Sequence, residues 1–187
     1  MTITRRTIGL VLSEVAGIGA LALLLFYLPL FGASAGSDPL ALDRIAAYLL
    51  LFAAPLFIFL PFCISLRLGP LWLLAAGSWA LLGYVLLFVG PPQREEATFM
   101  TYTAFLALVF VALASALSVP MGAVSRHLLP ATTPSNGMAR ALRQGSLLSL
   151  FAVILLAMSP LGVLNWLNTL LVFTIVALTE FFFLARD

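Results

Sequence analysis

The chain has 187 residues but contains no lysine, one histidine, one cysteine and only 9% charged residues. Because lysine is absent, Schiff-base chemistry with retinal, pyridoxal phosphate or a carbonyl substrate is excluded. His127 and Cys63 alone are too few for a two-histidine haem site or a Cys/His zinc site within one chain. We therefore expect no cofactor and no metal site.

Catalytic motifs are also scarce. Serines such as Ser13, Ser78 and Ser149 lie inside apolar segments, without the G-x-S-x-G setting of a serine nucleophile. Such serines more often form hydrogen bonds with the helix backbone or a neighbouring helix. The sequence therefore does not predict an enzyme, and a membrane enzyme of lipid metabolism is only a third possibility.

Hydrophobic residues, by contrast, make up 63% of the chain, well above the 45–50% that is usual for globular domains. Apolar runs of about 20 residues are typical of membrane-spanning helices. The pattern predicts an all-α, polytopic transmembrane bundle of about six helices in a single domain, residues 1–187. The predicted spans are residues 8–31, 45–66, 71–90, 97–124, 144–160 and 162–184.

The last two predicted spans need a closer reading. Residues 144–160 alone are too short to cross the hydrocarbon core, unless the helix begins upstream near Pro134, which is followed by Ser135 and Asn136. Pro160, Gly162 and nearby asparagines predict a turn, so the two spans are expected to form a tight hairpin. In a five-span alternative, residues 144–184 form one long broken element.

The arginines predict how the chain is oriented in the membrane. With six spans, seven arginines fall on one side and two on the other, and the positive-inside rule then puts both termini in the cytoplasm. We attribute the net charge of +2 to this topology and predict no nucleic-acid binding. The arginine-rich side has Arg5, Arg6, Arg67, Arg126, Arg140, Arg143 and Arg186, and the other side has Arg44 and Arg94.

The first span raises a question of processing. Arg5 and Arg6, an apolar run and Ala33-Ser34-Ala35 are similar in order to a secretory signal with its cleavage site. The apolar run is about twice as long as the 7–15 residues of a signal peptide. We therefore expect the first span to be retained, and its cleavage is the alternative.

Two carboxylates, Glu14 and Glu180, lie within predicted spans. A charged residue at the centre of a membrane helix costs roughly 2.5–3.5 kcal/mol, so it usually faces a partner or a cavity. A hairpin that folds around residue 162 places Arg143 and Gln144 level with Glu180, which predicts an ion pair between Arg143 and Glu180. This pair would lock the helices together, and the alternative is that the carboxylates bind protons or cations during transport.

Small residues mark the expected helix contacts, because they let two helix backbones approach closely. The same hairpin register places Ser149 opposite Thr174. Glu14, beside the first group of small residues, is expected to pair with Arg5, Arg6, Arg67 or Arg126. The predicted packing residues are Gly9, Ser13 and Gly17 in the first span, and Gly145, Ser149 and Thr174 in the last hairpin.

The C-terminal third contains Arg140-Ala-Leu-Arg-Gln-Gly145, then Asn165-Trp166 after the apolar run, and finally Glu180-Phe-Phe-Phe-Leu184. In these residues it resembles an uncharacterised group of small bacterial polytopic inner-membrane proteins. The resemblance implies a bacterial inner membrane and draws attention to the Arg/Gln/Glu hairpin, but it implies no activity.

Two function classes remain. The favoured hypothesis is a non-catalytic scaffold or accessory subunit of a larger membrane assembly, because the sequence offers packing surfaces and no reaction centre. The alternative is a small transporter or permease subunit that uses Glu14 and Glu180. The expected partners are the lipid bilayer and either other membrane proteins or further copies of this chain.

Overall fold

The structure, a computed structural model, describes residues 5–32, 42–66, 68, 70–89, 92, 98–128 and 134–186. These residues form helices joined by turns, and the expected all-α transmembrane architecture is confirmed. Ala33-Ser34-Ala35 lies outside the described residues. Within the described ranges the helices are α1 (Arg5–Gly32), α2 (Leu42–Ser65), α3 (Leu71–Tyr84), α4 (Phe99–Leu128), α5 (Pro134–Met158) and α6 (Trp166–Arg186). A π-helical turn, Val85–Val89, continues α3.

Five of these helices, α2 to α6, are long and apolar enough to cross a membrane by length and composition, when α3 is taken together with its π-helical turn. In α1, a helix of 28 residues, the described apolar stretch Val11–Leu23 is shorter. The chain is therefore a multi-pass integral membrane protein. Many large apolar side chains are exposed along these helices, as expected for surfaces that face lipid.

The predicted hairpin is formed by two separate helices. Helix α5 begins at Pro134, upstream of the apolar run as predicted, and proline is well suited to the first helical position because no backbone N–H is needed there. Gly162, with a φ of 70°, lies in the turn. Asn165 caps the start of α6, since its side-chain oxygen accepts a hydrogen bond from the Asn168 N–H at 2.8 Å. The single broken element of the five-span alternative is not formed.

The chain divides into two compact units, Met1–Pro91 and Pro92–Asp187. Unit 1 contains α1 to α3 and unit 2 contains α4 to α6. In each unit the middle helix, α2 or α5, contacts the other two. Small residues predominate at the buried positions, which allows close helix packing. Buried small residues include Ala47, Ala54, Ala75 and Ala76 in unit 1 and Ala112, Ser115, Ser118, Ala141 and Ser149 in unit 2.

Candidate functional site

Unit 2 contains a polar cluster between α5 and α6, formed by Arg143, Gln144 and Glu180. Arg143 Nε lies 3.3 Å from Glu180 Oε2, and Arg143 Nη2 lies 3.5 Å from Glu180 Oε1. Gln144 Nε2 donates a hydrogen bond to Glu180 Oε1 at 3.0 Å. The contact between Arg143 and Glu180 that the hairpin register predicts is therefore present. We call these three residues the polar cluster.

The polar cluster is partly shielded from its surroundings. The side chains of Arg143 and Glu180 are 22% and 20% exposed, so their attraction is stronger than it would be in water. Arg143 Cζ also lies 5.1 Å from the centre of the Phe183 ring. Phe183 and Glu180 are three residues apart and share one face of α6. The guanidinium is thus held by a carboxylate and an aromatic ring of the same helix.

A cavity of about 260 Å³ lies beside the polar cluster. Gln144 and Glu180 form its polar end, and apolar side chains form the remaining wall. Further along, the Phe151 and Phe173 rings meet edge to face with their centres 6.0 Å apart. The apolar wall consists of Met121 from α4, Leu147, Leu148 and Phe151 from α5, and Phe173, Val176 and Ala177 from α6.

Gly145 and Ser149 lie on a different face of α5, which packs against α4. Ser149 Oγ donates to the Phe110 carbonyl at 2.7 Å. A Cβ atom on Gly145 would lie 2.6 Å from the Ser118 nitrogen and 2.8 Å from the Ala114 carbonyl oxygen. Only glycine therefore permits this close approach of the two backbones.

The expected contact of Ser149 with Thr174 is wrong. Ser149 is bonded to α4, and Thr174 is exposed and donates to the Leu170 carbonyl of its own helix at 2.8 Å. Each residue of an α-helix turns by about 100° around the axis. Gln144 faces α6, and the adjacent Gly145 faces α4. The hairpin register gives the height of a residue along the helix, but not the direction in which it points.

In unit 1, the predicted packing stripe of α1 consists of Gly9, Ser13 and Gly17, and part of it faces α2. Ser13 Oγ donates to the Phe57 carbonyl at 3.0 Å. A Cβ atom on Gly17 would lie 2.9 Å from the Ile58 nitrogen, so this position too requires glycine. A Cβ atom on Gly9 would meet nothing within 4 Å, and no packing role follows for it.

Glu14 is half-buried beside this stripe, and no described residue forms a hydrogen bond or ion pair with it. Its expected partners were the arginines of the cytoplasmic side. The side chains of Arg5, Arg6, Arg67 and Arg126 lie outside the described residues. The structure thus brings Arg143, Gln144 and Glu180 together in unit 2, whereas Glu14 belongs to unit 1.

An aromatic cluster in unit 1 was not anticipated from the sequence. The Tyr48, Tyr84 and Phe88 rings lie 5.2–5.7 Å apart, and Arg44 Cζ lies 5.5 Å from the Phe88 ring centre. A cavity of about 320 Å³ adjoins Tyr48 and Tyr84. Arg44 and Tyr48 are four residues apart, and so are Tyr84 and Phe88. This spacing places each pair on one helix face, and it was the sequence signal that could have predicted the cluster.

One short motif was also passed over. The pentapeptide Gly32-Ala33-Ser34-Ala35-Gly36 has the G-x-S-x-G spacing of a nucleophile. That motif requires a preceding strand, whereas the element before it is helix α1, which ends at Gly32. Ser34 lies outside the described residues, and the helical context gives it no support as a nucleophile.

Among the described residues, no group of three or more His, Cys, Asp or Glu side chains could hold a metal ion. No protein-family model, no curated protein and no solved structure matches this chain. The polar cluster and the cavity beside it are therefore the features of unit 2 that bear on function.

Proposed function

We propose that this membrane protein is a non-catalytic scaffold or accessory subunit of a larger assembly in a bacterial inner membrane. The observation that supports this proposal is that the Glu180 carboxylate has partners within the chain. Arg143 lies 3.3 Å from it, and Gln144 donates a hydrogen bond to it at 3.0 Å. A carboxylate neutralised in this way supports a role in holding α5 and α6 together. A carrier of protons or cations needs a carboxylate that changes its partner.

Helix α6 also offers an apolar surface that unit 2 does not cover. Four exposed side chains lie on the face of α6 opposite Glu180, which we call the outer face of α6. Because the polar cluster fixes the other side of α6, this face has a defined direction in which a partner helix can pack. The outer face consists of Leu171, Ile175, Leu178 and Phe182, which are 56–64% exposed.

Affinity purification in a mild detergent, followed by mass spectrometry, tests the accessory role. We expect at least one other membrane protein at a fixed ratio to this chain. The double variant Leu171→Ala/Leu178→Ala should reduce that ratio several-fold, whereas Leu49→Ala on α2, where Leu49 is 66% exposed, is the matched control. A folded chain that purifies alone, or only with copies of itself, would contradict an accessory function.

We also propose that both termini are cytoplasmic, which is supported by the seven-to-two arginine distribution. Reporter fusions after residues 36, 68, 94, 130 and 187 should report outside, inside, outside, inside and inside. A periplasmic reporter after residue 187 would overturn the six-span orientation.

The cavity beside Glu180 favours transport as the second candidate. A transporter of this kind must change the protonation or ion binding of Glu180 or Glu14 during its cycle. Glutamine preserves hydrogen bonding but cannot be deprotonated. Proton-coupled flux into reconstituted vesicles that disappears in Glu180→Gln or Glu14→Gln, with unchanged folding, would replace the accessory function with transport.

A further inference from the structure

The cavity of unit 2 has the mostly apolar lining of a site for an alkyl chain. Its volume of about 260 Å³ is slightly below the usual range of ligand pockets, which is about 300–1,000 Å³. Apart from Gln144 and Glu180, its wall is apolar, and apolar cavities bind hydrocarbon more readily than water. Phe173 and Ala177 in the wall are also exposed, so the cavity is accessible from the surface of unit 2.

A positive charge lies one turn beyond the polar end of this cavity. Arg140 precedes Gln144 by four residues and shares its face of α5. Arg140 is half-buried, and no described residue accepts a hydrogen bond from its Nε. Arg143 is neutralised by Glu180 at 3.3 Å. Among the described residues of this end of α5, the positive charge that is not neutralised is therefore that of Arg140.

The distance along α5 matches one leaflet of a bilayer. Arg140 and Phe151 are eleven residues apart, which corresponds to about 16 Å of helix. Half of the hydrocarbon core measures about 15 Å. A lipid with its phosphate at Arg140 can thus extend an acyl chain past Leu147 and Leu148 to the Phe151 ring.

From this arrangement we propose that the cavity binds an anionic phospholipid, with one acyl chain in the cavity and the phosphate at Arg140. We expect an anionic headgroup because Arg140 places one positive charge where the headgroup would lie. Glu180, the carboxylate at this end, is already occupied by Arg143 and Gln144, so the ammonium group of a zwitterionic lipid gains no carboxylate there. The site is independent of the accessory role, since it uses the inner side of α6.

Native mass spectrometry of the full chain can test this site. The protein is reconstituted into nanodiscs of phosphatidylglycerol and phosphatidylcholine in equal amounts, and the retained lipid is counted after release. We expect phosphatidylglycerol to be retained preferentially, and Arg140→Gln to lower its retention about fivefold, as the loss of one lipid-binding arginine predicts. Arg44→Gln, which removes the same charge in unit 1, should leave retention within about twofold.

A second set of variants tests the same proposal by filling the cavity with a larger side chain. Ala177→Phe, and Ala177→Leu as a smaller replacement, should lower phosphatidylglycerol retention, while Leu171→Phe on the outer face of α6 should not. Equal retention of the two lipids by the unmodified chain would overturn the proposal. So would unchanged retention in folded Arg140→Gln, or in both folded Ala177 variants.

Discussion

The third helix of each unit is attached to its middle helix in a different way. Helix α3 buries Ala75, Ala76 and Ser78, a small-residue face of the kind that lets helix backbones approach closely. The apolar part of α6, Trp166–Phe183, has no buried residue. It contacts α5 through the bonds of Glu180 to Arg143 and Gln144 and through packed rings. Because lipid is as apolar as a helix surface, burial does not favour either contact strongly. A helix without a small-residue face therefore depends more on polar contacts.

The two units nevertheless share one packing device. In α1, Ser13 and Gly17 meet a carbonyl and a backbone of α2. In α5, Gly145 and Ser149 meet a backbone and a carbonyl of α4. Both pairs are four residues apart, so the glycine and the serine lie on one helix face. The glycine permits close approach, and the serine hydroxyl then reaches the carbonyl of the neighbouring helix.

Replacing the two packing glycines should have the largest effect. Gly145→Ala places a methyl group against the Ser118 backbone, and Gly17→Ala places one against the Ile58 backbone. Because backbone cannot move aside as a side chain can, each variant should lose about 3 kcal/mol of stability to denaturant in detergent. Gly19→Ala is the matched control, since nothing lies within 4 Å of its new methyl group. Unchanged stability in Gly145→Ala would show that α4 and α5 pack differently.

Breaking the polar cluster should have an intermediate effect, and only in unit 2. Glu180→Leu leaves Arg143 without its carboxylate and should cost about 2 kcal/mol, because a hydrogen bond to a charged group is lost in a half-buried setting. The double variant Arg143→Leu/Glu180→Leu should be milder than the sum of the single variants, since it leaves no uncompensated charge. Denaturant unfolding of all four proteins measures the coupling. Additive losses would mean that the pair does not attach α6.

The serine hydroxyls should have the smallest effect. Ser149→Ala removes the bond to Phe110, and Ser13→Ala removes the bond to Phe57. Each should cost about 1 kcal/mol or less, as measured for hydrogen bonds between membrane helices. Thr179→Val is the control, because the Thr179 hydroxyl donates to the Ile175 carbonyl of its own helix. A loss in Thr179→Val equal to that in Ser149→Ala would remove the distinction between contacts within and between helices.

The hairpin shows how far the sequence allows prediction. Its turn at Gly162, the early start of α5 at Pro134 and the level of Glu180 opposite Arg143 all follow from local signals and from counting residues along two antiparallel helices. The same counting failed for Ser149 and Thr174. Two residues at the same height can point to different neighbours, and that direction depends on how each helix is rotated about its axis.

By itself, the sequence determined the membrane class, the helices and the turn between the last two. The length of an apolar run, and the proline and glycine residues that end it, are properties of a local segment. Only the tertiary structure decided which helix each small-residue face meets, and that Arg44 joins an aromatic cluster with Tyr48 and Phe88. The physical reason is that small, apolar faces are alike in this chain. Their partners are chosen by the mutual fit of whole helices, which no local pattern encodes.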